Sequence, residues 1–293
     1  MQDKIPVVVD CDNTLGIPGC DVDDGTALIY LLGCPEVEII GITTSYGNST
    51  QDKVYDNTVR LLKKWKREDI PVYRGSERPG QMYSPAAEFL ASMSEKYKDK
   101  LVIFCLGSTT NLAGAGKLNC NFYKNIAKIS FMGGITEPLL VGDKPMSEMN
   151  MSIDWESSIE IFSEAHDIYI ATAGNCLKSY FSEEQFKRVT CALPGSMSAF
   201  LKEEIQYWYD YNRNSWNLEG FINWDVMAAA QIIHPELFVI KETSISPDPE
   251  SMKSGMLMGK GREIKVFLPE IIDTATYTAH VYDTYYKSNI MED

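Results

Sequence analysis

At 293 residues the chain is long enough for one large domain, or two modest ones, with a sizeable buried core. Its 27 basic and 41 acidic residues give a net charge of −14, and the acidic residues are scattered along the sequence. This balance argues against nucleic acid or an anionic membrane as a partner and suits a cation or a neutral substrate.

Short apolar runs alternate with helical patterns from residue 5 onward. In chain order the pairs are IPVVVD and DDGTALIYLL, VEIIGITT and QDKVYDNTVRLLKKW, IPVYRG and SPAAEFLASMSEKY, KLVIFCLG and TTNLAGAGKL, AKISFMGG and DWESSIEIFSEA, and DIYIATAG and SEEQFKRV. This alternation predicts an α/β fold with an open, mostly parallel sheet and helices on both faces, a Rossmann-like architecture.

The pattern becomes mainly helical after about residue 190. Two helical patterns, SMSAFLKEEIQYWYDYNRN and WDVMAAAQIIH, precede two strand-like runs, ELFVIKETSI and REIKVFLP, and an aromatic helix, TYTAHVYDTYYKS. No repeat and no Pro/Gly/Ser linker divides the sequence. We therefore predict a single domain, 1–293, with a core of about 1–190 and a mainly helical addition of about 191–293.

Composition also bears on the compartment. No apolar run approaches the roughly 20 residues that span a bilayer, and residues 1–4 show no signal segment. The seven cysteines are odd in number and contain no C-x-x-C spacing, which argues against a disulfide framework and a zinc site. We expect a cytoplasmic protein with reduced thiols.

The opening stretch, VVVDCDNTL, resembles the first motif of haloacid dehalogenase-type phosphatases, in which Asp10 would be the nucleophile. Thr43 or Thr172 would supply the hydroxyl that such an enzyme needs at the end of a later strand. No convincing acidic pair follows a late strand, however, and the pair Asp23 and Asp24 would have no role. The phosphatase remains an alternative prediction.

A second interpretation uses four carboxylates, each at the end of a predicted strand or the start of a helix: Asp12, Asp23, Asp24 and Asp225. Ligands bind beyond the carboxyl ends of strands in open parallel sheets, because loops and helix N-termini converge there. Carboxylates without Cys or His partners are hard oxygen ligands of the kind that calcium or magnesium takes. A lone Asp there would more often be a helix cap, but four together favour a metal site.

Ordered motifs support this second interpretation. The sequence resembles the inosine-uridine nucleoside hydrolase family, calcium-dependent enzymes that split ribonucleosides into ribose and a free base. The matching segments are the Asp-rich opening, GITTSYGN (41–48), LGSTTNLA (106–113), FMGG (131–134) with SEMNMSID (147–154), and INWD (222–225). Several ordered motifs over roughly residues 5–240 are far more specific than any one of them.

The resemblance implies a site with one calcium ion per subunit and a small-molecule ribonucleoside as substrate. The implied metal ligands are the side chains of Asp12, Asp23, Asp24 and Asp225 and the carbonyl of Leu106. Asp12 would be the general base, assisted by Asn48. The residues implied to contact the substrate are Asn48, Met132, Glu148, Asn150, Trp224, Asp23 and Asp225. Family members are commonly oligomers, so we expect a homodimer or homotetramer.

The chain departs from the family pattern in two places. An insertion, 13–22, separates Asp12 from Asp23 and brings a further acid, Asp21, which is an alternative base. Trp224 stands where many relatives have a histidine that protonates the leaving base, and no histidine of this chain lies in a matching motif. The preferred base therefore stays open, and a catalytically weak ribonucleoside-binding protein is a third possibility.

Overall fold

The computed structural model describes residues 3–193 and 195–291, so the ends of the predicted 1–293 domain lie outside the described residues. The strands are β1 (Ile5–Cys11), β2 (Val37–Thr44), β3 (Val72–Tyr73), β4 (Val102–Cys105), β5 (Lys128–Met132), β6 (Leu140–Val141), β7 (Lys144–Pro145), β8 (Ile168–Ala171), β9 (Tyr180–Ser182), β10 (Gly220–Ile222), β11 (Phe238–Ile245) and β12 (Ile264–Ile271). The α-helices are α1 (Asp23–Leu32), α2 (Gln51–Lys64), α3 (Pro85–Lys96), α4 (Thr110–Leu118), α5 (Phe122–Asn125), α6 (Trp155–Glu164), α7 (Ala173–Cys176), α8 (Glu183–Ala192), α9 (Gly195–Trp216), α10 (Trp224–Ile233), α11 (Pro249–Met252) and α12 (Thr274–Lys287).

Eight strands form the central sheet in the order β11-β12-β8-β5-β4-β1-β2-β3. Every neighbouring pair is parallel except β11 and β12, which are antiparallel at one edge. The predicted open, mostly parallel α/β sheet is therefore confirmed. The chain leaves β1 toward β2 on one side and later reaches β4 on the other, so a crevice opens beyond the carboxyl ends of β1 and β4.

Helices cover both faces of the sheet, which explains why the central strands are continuous apolar runs. In β1, Val7 and Val9 belong to one buried cluster and Val8 to another on the opposite face, as alternating side chains require. All three valines are fully buried. None of the helices in the described ranges combines the length and apolar character needed to cross a bilayer.

Three details differ from the sequence prediction. The run IPVYRG contributes only the two-residue edge strand β3, and the helix SEEQFKRV begins after β9 and not directly after β8. The predicted helical C-terminal part is present, but its strands β11 and β12 also extend the main sheet. The last helix, α12, packs on α1, so the end of the chain supports the helix that carries Asp23 and Asp24.

Candidate active site

A cavity of about 400 Å³ lies at the crevice beyond the ends of β1 and β4. Asp23 and Asn48 form part of its polar floor, and Trp224 contributes to an apolar wall. The N-termini of α1 and α10 reach this region, so Asp23, Asp24 and Asp225 all lie in a first helical turn. The partial positive charge of a helix N-terminus favours carboxylates there.

Three carboxylates form a cluster beneath this cavity. Side-chain oxygens of Asp23, Asp24 and Asp225 lie within 4.8 Å of one another, and all three residues are buried. Neither oxygen of the Asp225 carboxylate has a hydrogen-bond partner among the described residues. A buried carboxylate without a partner is costly, so this cluster is suited to a bound cation.

The pKa values of the cluster reflect its burial. Desolvation raises the pKa of Asp12 to about 7 and that of Asp23 to about 6. Burial and then the neighbouring carboxylates raise the pKa values of Asp24 and Asp225 well above the ordinary range. The donors are all carboxylate oxygens, with no thiolate or imidazole among them, so the residues present fit a hard divalent cation such as calcium.

Asn48 connects two of these carboxylates. Its backbone N–H donates to Asp12 Oδ2, and its Nδ2 donates to Asp12 Oδ1 at 3.4 Å and to Asp24 Oδ2 at 3.3 Å. The backbone N–H of Asp12 in turn donates to Asp24 Oδ1 at 3.0 Å. The structure therefore brings Asp12, Asn48 and Asp24 together, with Asp12 and Asp24 buried behind the residues that line the cavity.

Gly47 allows this arrangement because it carries no side chain. Its φ of +157° is rare for other residues, and a Cβ at this position would overlap Asp12 Oδ2. We expect Gly47→Ala to displace Asp12 and to lower kcat for the proposed reaction about 100-fold while the protein stays folded. Gly195→Ala, where no heavy atom lies within 4 Å of the added carbon, is the control. Equal kinetics of the two variants would contradict this role for Gly47.

The opposite side of the cavity carries the residues predicted to hold ribose. Glu148 Oε1 accepts the backbone N–H groups of Gly134 (3.1 Å) and Met151 (2.8 Å), and Oε2 accepts that of Ser152 (2.9 Å). Burial raises the pKa of Glu148, and these bonds counteract that rise. The carboxylate is thus fixed in orientation and lines the cavity.

Asn150 lies beside Glu148 and contacts two backbone carbonyls. Its Nδ2 donates to the carbonyls of Leu106 (2.8 Å) and Met132 (3.1 Å). The carbonyl of Leu106, predicted as a metal ligand, is therefore held by Asn150 at the cavity. Leu106, Met132 and Asn150 all line the cavity, which is where the sequence motifs predict them.

The insertion 13–22 is fixed between α2 and α9. Asn57 Nδ2 donates to the carbonyl of Leu15 at 3.1 Å, and Arg60 Nη2 donates to the same carbonyl at 3.0 Å. From α9, the hydroxyl of Tyr207 donates to the carbonyl of Cys20 at 3.1 Å. The insertion places Asp21 on the cavity floor, where burial and then the charge of Asp23 raise its pKa well above the ordinary range.

Several functional positions were not predicted from the sequence. Asn223 accepts Thr26 Oγ1 and donates to the Tyr285 hydroxyl, both at 2.8 Å, and so joins α10 to α1 and α12. Asn223 precedes the INWD motif's last two residues, which is a weak signal for this role. The apolar wall of the cavity also escaped prediction, because its members come from the β6–β7 hairpin and from α9: Leu139, Val141, Met146, Trp208, Tyr211, Asn212 and Trp216.

The structure contradicts the phosphatase alternative. Asp10 is fully buried, and its Oδ1 accepts Thr43 Oγ1 at 2.5 Å and Asn111 Nδ2 at 2.8 Å. It does not line the cavity, so its carboxylate has no access to a phosphate ester. Asp10 is a structural residue beneath the site, and the prediction of a nucleophile there is wrong.

Burial raises the pKa of Asp10 from its ordinary 3.8 to about 7, although the bonds from Thr43 and Asn111 oppose the rise. Because the folded-state pKa is the higher one, the stability that protonated Asp10 supports is complete below about pH 4 and is lost as the pH rises through about 7. We expect Asp10→Asn to reduce this loss by about 2–4 kcal/mol. Urea unfolding with chelator across this pH range measures it, and an unchanged pH dependence would contradict it.

Comparisons with known proteins agree with the geometry. The model of the inosine-uridine preferring nucleoside hydrolase family matches residues 7–281. The chain is 25% identical to Probable uridine nucleosidase 1 of Oryza sativa subsp. japonica, covering 89% of this chain and 86% of that protein. It is 27% identical to the pyrimidine-specific ribonucleoside hydrolase RihA of Salmonella schwarzengrund, covering 81% of this chain and 82% of that protein.

Solved structures show the same fold. A purine-preferring ribonucleoside hydrolase from Gardnerella vaginalis superposes with a TM-score of 0.83 at 20% identity, covering 98% of this chain and 100% of that one. An inosine-uridine preferring nucleoside hydrolase from Bacillus anthracis gives a TM-score of 0.77 at 14% identity, covering 96% and 99%. Because a family match spans almost the whole chain and its motifs converge on one crevice, the chain belongs to the inosine-uridine preferring nucleoside hydrolases, enzymes that hydrolyse N-glycosyl compounds.

Proposed function

We propose that this enzyme hydrolyses the N-glycosidic bond of a ribonucleoside to ribose and free base with the help of one calcium ion per subunit. The observation that carries the proposal is the unpartnered carboxylate of Asp225 beside Asp23 and Asp24, at the floor of a cavity with an aromatic wall. A buried acidic cluster of this kind needs a cation, and the cavity above it has the size and lining of a small-molecule site.

Asp23, Asp24 and Asp225 are the proposed side-chain ligands of the ion, with Asp12 and the carbonyl of Leu106 completing the set. Calcium accommodates many oxygen ligands in flexible geometry, which suits a site built from several carboxylates and a carbonyl. When bound, the ion supplies chelation of the vicinal 2′ and 3′ hydroxyls and a lower pKa for the attacking water.

The protein groups have separate roles in the proposed reaction. Breaking the bond develops positive charge on the ribose ring, which the carboxylates around the floor stabilise. Asp12, oriented by Asn48, accepts the proton of the attacking water. Asp21 is the alternative acceptor, since it lines the cavity beside Asp23. We expect Asp12→Asn to lower kcat more than Asp21→Asn does.

The remaining cavity residues bind and orient the substrate. Glu148 and Asn150 are proposed to hold ribose hydroxyls away from the bond that breaks, which uses remote contacts for orientation. Met132 packs against the sugar, and the indole of Trp224 stacks on the base. Because chelation needs both hydroxyls, ribonucleosides should react faster than 2′-deoxyribonucleosides.

Ribose release from a panel of purine and pyrimidine ribonucleosides tests the proposal. We expect release with calcium, loss with excess chelator, and recovery when calcium is restored. Inosine and 2′-deoxyinosine form a matched pair for the chelation step. If calcium-saturated protein binds nucleosides tightly but releases no ribose from any of them, the ribonucleoside-binding alternative replaces the hydrolase.

Compartment and assembly are further proposals. The seven cysteines of the described chain are all free, which supports a reducing compartment such as the cytoplasm. The proposed homodimer or homotetramer, and a single domain from 1 to 293, rest on the family resemblance. Sedimentation of the purified protein measures the assembly, and limited proteolysis tests the single domain.

A further inference from the structure

The leaving-group side of the cavity contains no residue that readily protonates a base. Among the described residues, no histidine, lysine or arginine lines the cavity. Trp224, beside the acidic cluster, offers only an indole N–H, which does not transfer a proton near neutral pH. A neutral nucleoside loses its base as an anion unless an acid protonates it, so this cavity is poorly equipped for such a leaving group.

Aromatic faces dominate that side instead. The rings of Trp208 and Tyr211 are stacked, with centroids 4.7 Å apart and planes inclined by 5°. Trp216 and Trp224 also line the cavity. The face of an aromatic ring attracts a cation, and an indole face does so most strongly. Neutral bases stack on such rings as well, so the charge of the surroundings decides between the two.

The surroundings are strongly acidic. Asp21, Asp23 and Glu148 line the cavity, and Asp12, Asp24 and Asp225 lie directly behind them. These six carboxylates outnumber the charge of one divalent ion. Low-dielectric walls strengthen the resulting field, which attracts a cationic ligand and disfavours an anionic leaving group.

A hydrogen-bond acceptor completes the wall. Asn212 Nδ2 donates to the carbonyl of Trp208 at 2.9 Å, which fixes the orientation of the amide because a carbonyl only accepts. No described residue donates to Asn212 Oδ1, and Asn212 lines the cavity. An amino or carboxamide N–H on the base would find its acceptor there.

We propose, on the basis of the hydrolase function above, that the preferred substrates are ribosides whose base already carries a positive charge, the N-ribosylpyridinium and N7-alkylpurine class. Water attacks the anomeric carbon, and the bond from that carbon to the ring nitrogen breaks. The bonding electron pair returns to the nitrogen and neutralises its charge. The base leaves as a neutral molecule without a proton, and the water proton passes to the carboxylate base. No leaving-group acid is needed.

Guanosine and 7-methylguanosine form the matched kinetic pair, because they differ by one methyl group and one charge. Each kcat/KM is divided by the uncatalysed rate at the same pH, since cationic ribosides are intrinsically more labile. We expect this ratio to favour 7-methylguanosine at least about 10-fold, with nicotinamide riboside behaving alike. A ratio of one or below, or a neutral nucleoside preferred, would overturn the proposal.

Binding provides a readout that does not depend on turnover. With calcium present, quenching of tryptophan fluorescence by 1-methylnicotinamide should occur at a concentration at least about 10-fold below that needed for neutral nicotinamide. Equal affinities would overturn the proposal even if nucleosides are hydrolysed. Cation selectivity without ribose release would support it while contradicting the hydrolase function.

Two variant pairs assign the selectivity to the wall and to the floor. Tyr211 is partly exposed, so both Tyr211→Phe and Tyr211→Leu should fold. The first keeps the ring and should retain the preference for 1-methylnicotinamide, whereas the second should reduce it about 3- to 10-fold. Asp21→Asn should reduce it as well, and Asp283→Asn, on the exposed face of α12, should not. Unchanged selectivity in both Tyr211→Leu and Asp21→Asn would contradict the assignment.

Discussion

Asp24→Ala is expected to abolish calcium-dependent ribose release, with a fall in kcat/KM of at least about 1,000-fold. Asp24 has an oxygen in the three-carboxylate cluster, accepts the backbone N–H of Asp12 at 3.0 Å, and contacts Asn48. Its removal takes a ligand from the ion and releases the proposed base from its position. Both losses act on the same step, so the effect should exceed that of any change in the cavity wall.

A calcium titration followed by isothermal calorimetry separates metal loss from unfolding in this variant. We expect Asp24→Ala to keep its far-UV spectrum and cooperative unfolding while its calcium affinity falls by at least about 100-fold. Asp283→Ala, which removes an exposed carboxylate from α12, is the matched control and should bind calcium like the parent protein. Normal ribose release by Asp24→Ala would refute the assignment of the metal site.

Asp225→Asn should change stability in opposite directions with and without calcium. In the metal-free protein both oxygens of Asp225 lack hydrogen-bond partners among the described residues, and burial raises its pKa well above the ordinary range. Ionisation therefore costs stability, and the cost grows as the pH rises above the unfolded-state value of 3.8. A neutral amide of the same shape removes that cost.

We expect the melting temperature of metal-free Asp225→Asn to exceed that of the parent at pH 8 by a few degrees, since about 1 kcal/mol corresponds to about 2–4 °C in a chain of this class. Saturating calcium should reverse the order, because the parent gains about 3 kcal/mol at 100 times its dissociation constant and the variant gains little. Differential scanning calorimetry with chelator and with calcium measures both signs.

The control for this experiment is Asp154→Asn. Asp154 is also a buried aspartate, but its carboxylate accepts hydrogen bonds from Thr110, Ser157 and the backbone of Gly80. An amide cannot accept all of these bonds, so this variant should lose stability equally with and without calcium. A metal-free Asp225→Asn that is also less stable than the parent would show that the carboxylate is satisfied without the ion.

Much of the fold could be predicted from hydrophobic pattern, because buried parallel strands are apolar throughout and the helices between them repeat at helical spacing. The run VEIIGITT corresponds to β2 residue for residue. Prediction failed where pairing partners decide the outcome. Only two residues of IPVYRG pair with β2, since β3 is the last strand of that edge. No local signal records how much of an edge strand finds a partner.

The predictable part of the site consists of residues at strand ends and helix starts. Asp12, Asp23 and Leu106 could be assigned because each follows a buried strand or begins a helix, and topology brings those ends together. The base wall could not be assigned in this way. Trp208 and Trp216 lie on one long helix whose aromatic residues are divided between the core and the cavity, and sequence periodicity does not distinguish these two surroundings.

The long reach of the Asn223 contacts has a kinetic consequence. Asp24 lies near the start of the chain, Asp225 in its last third, and Asn223 joins their helices to α12 at the C-terminal end. The complete ligand set therefore forms only after the most distant parts of the chain have met, which is a late event in folding. Calcium should accordingly slow unfolding and leave the refolding rate nearly unchanged, so that the ion prolongs the lifetime of the native state without guiding the chain toward it.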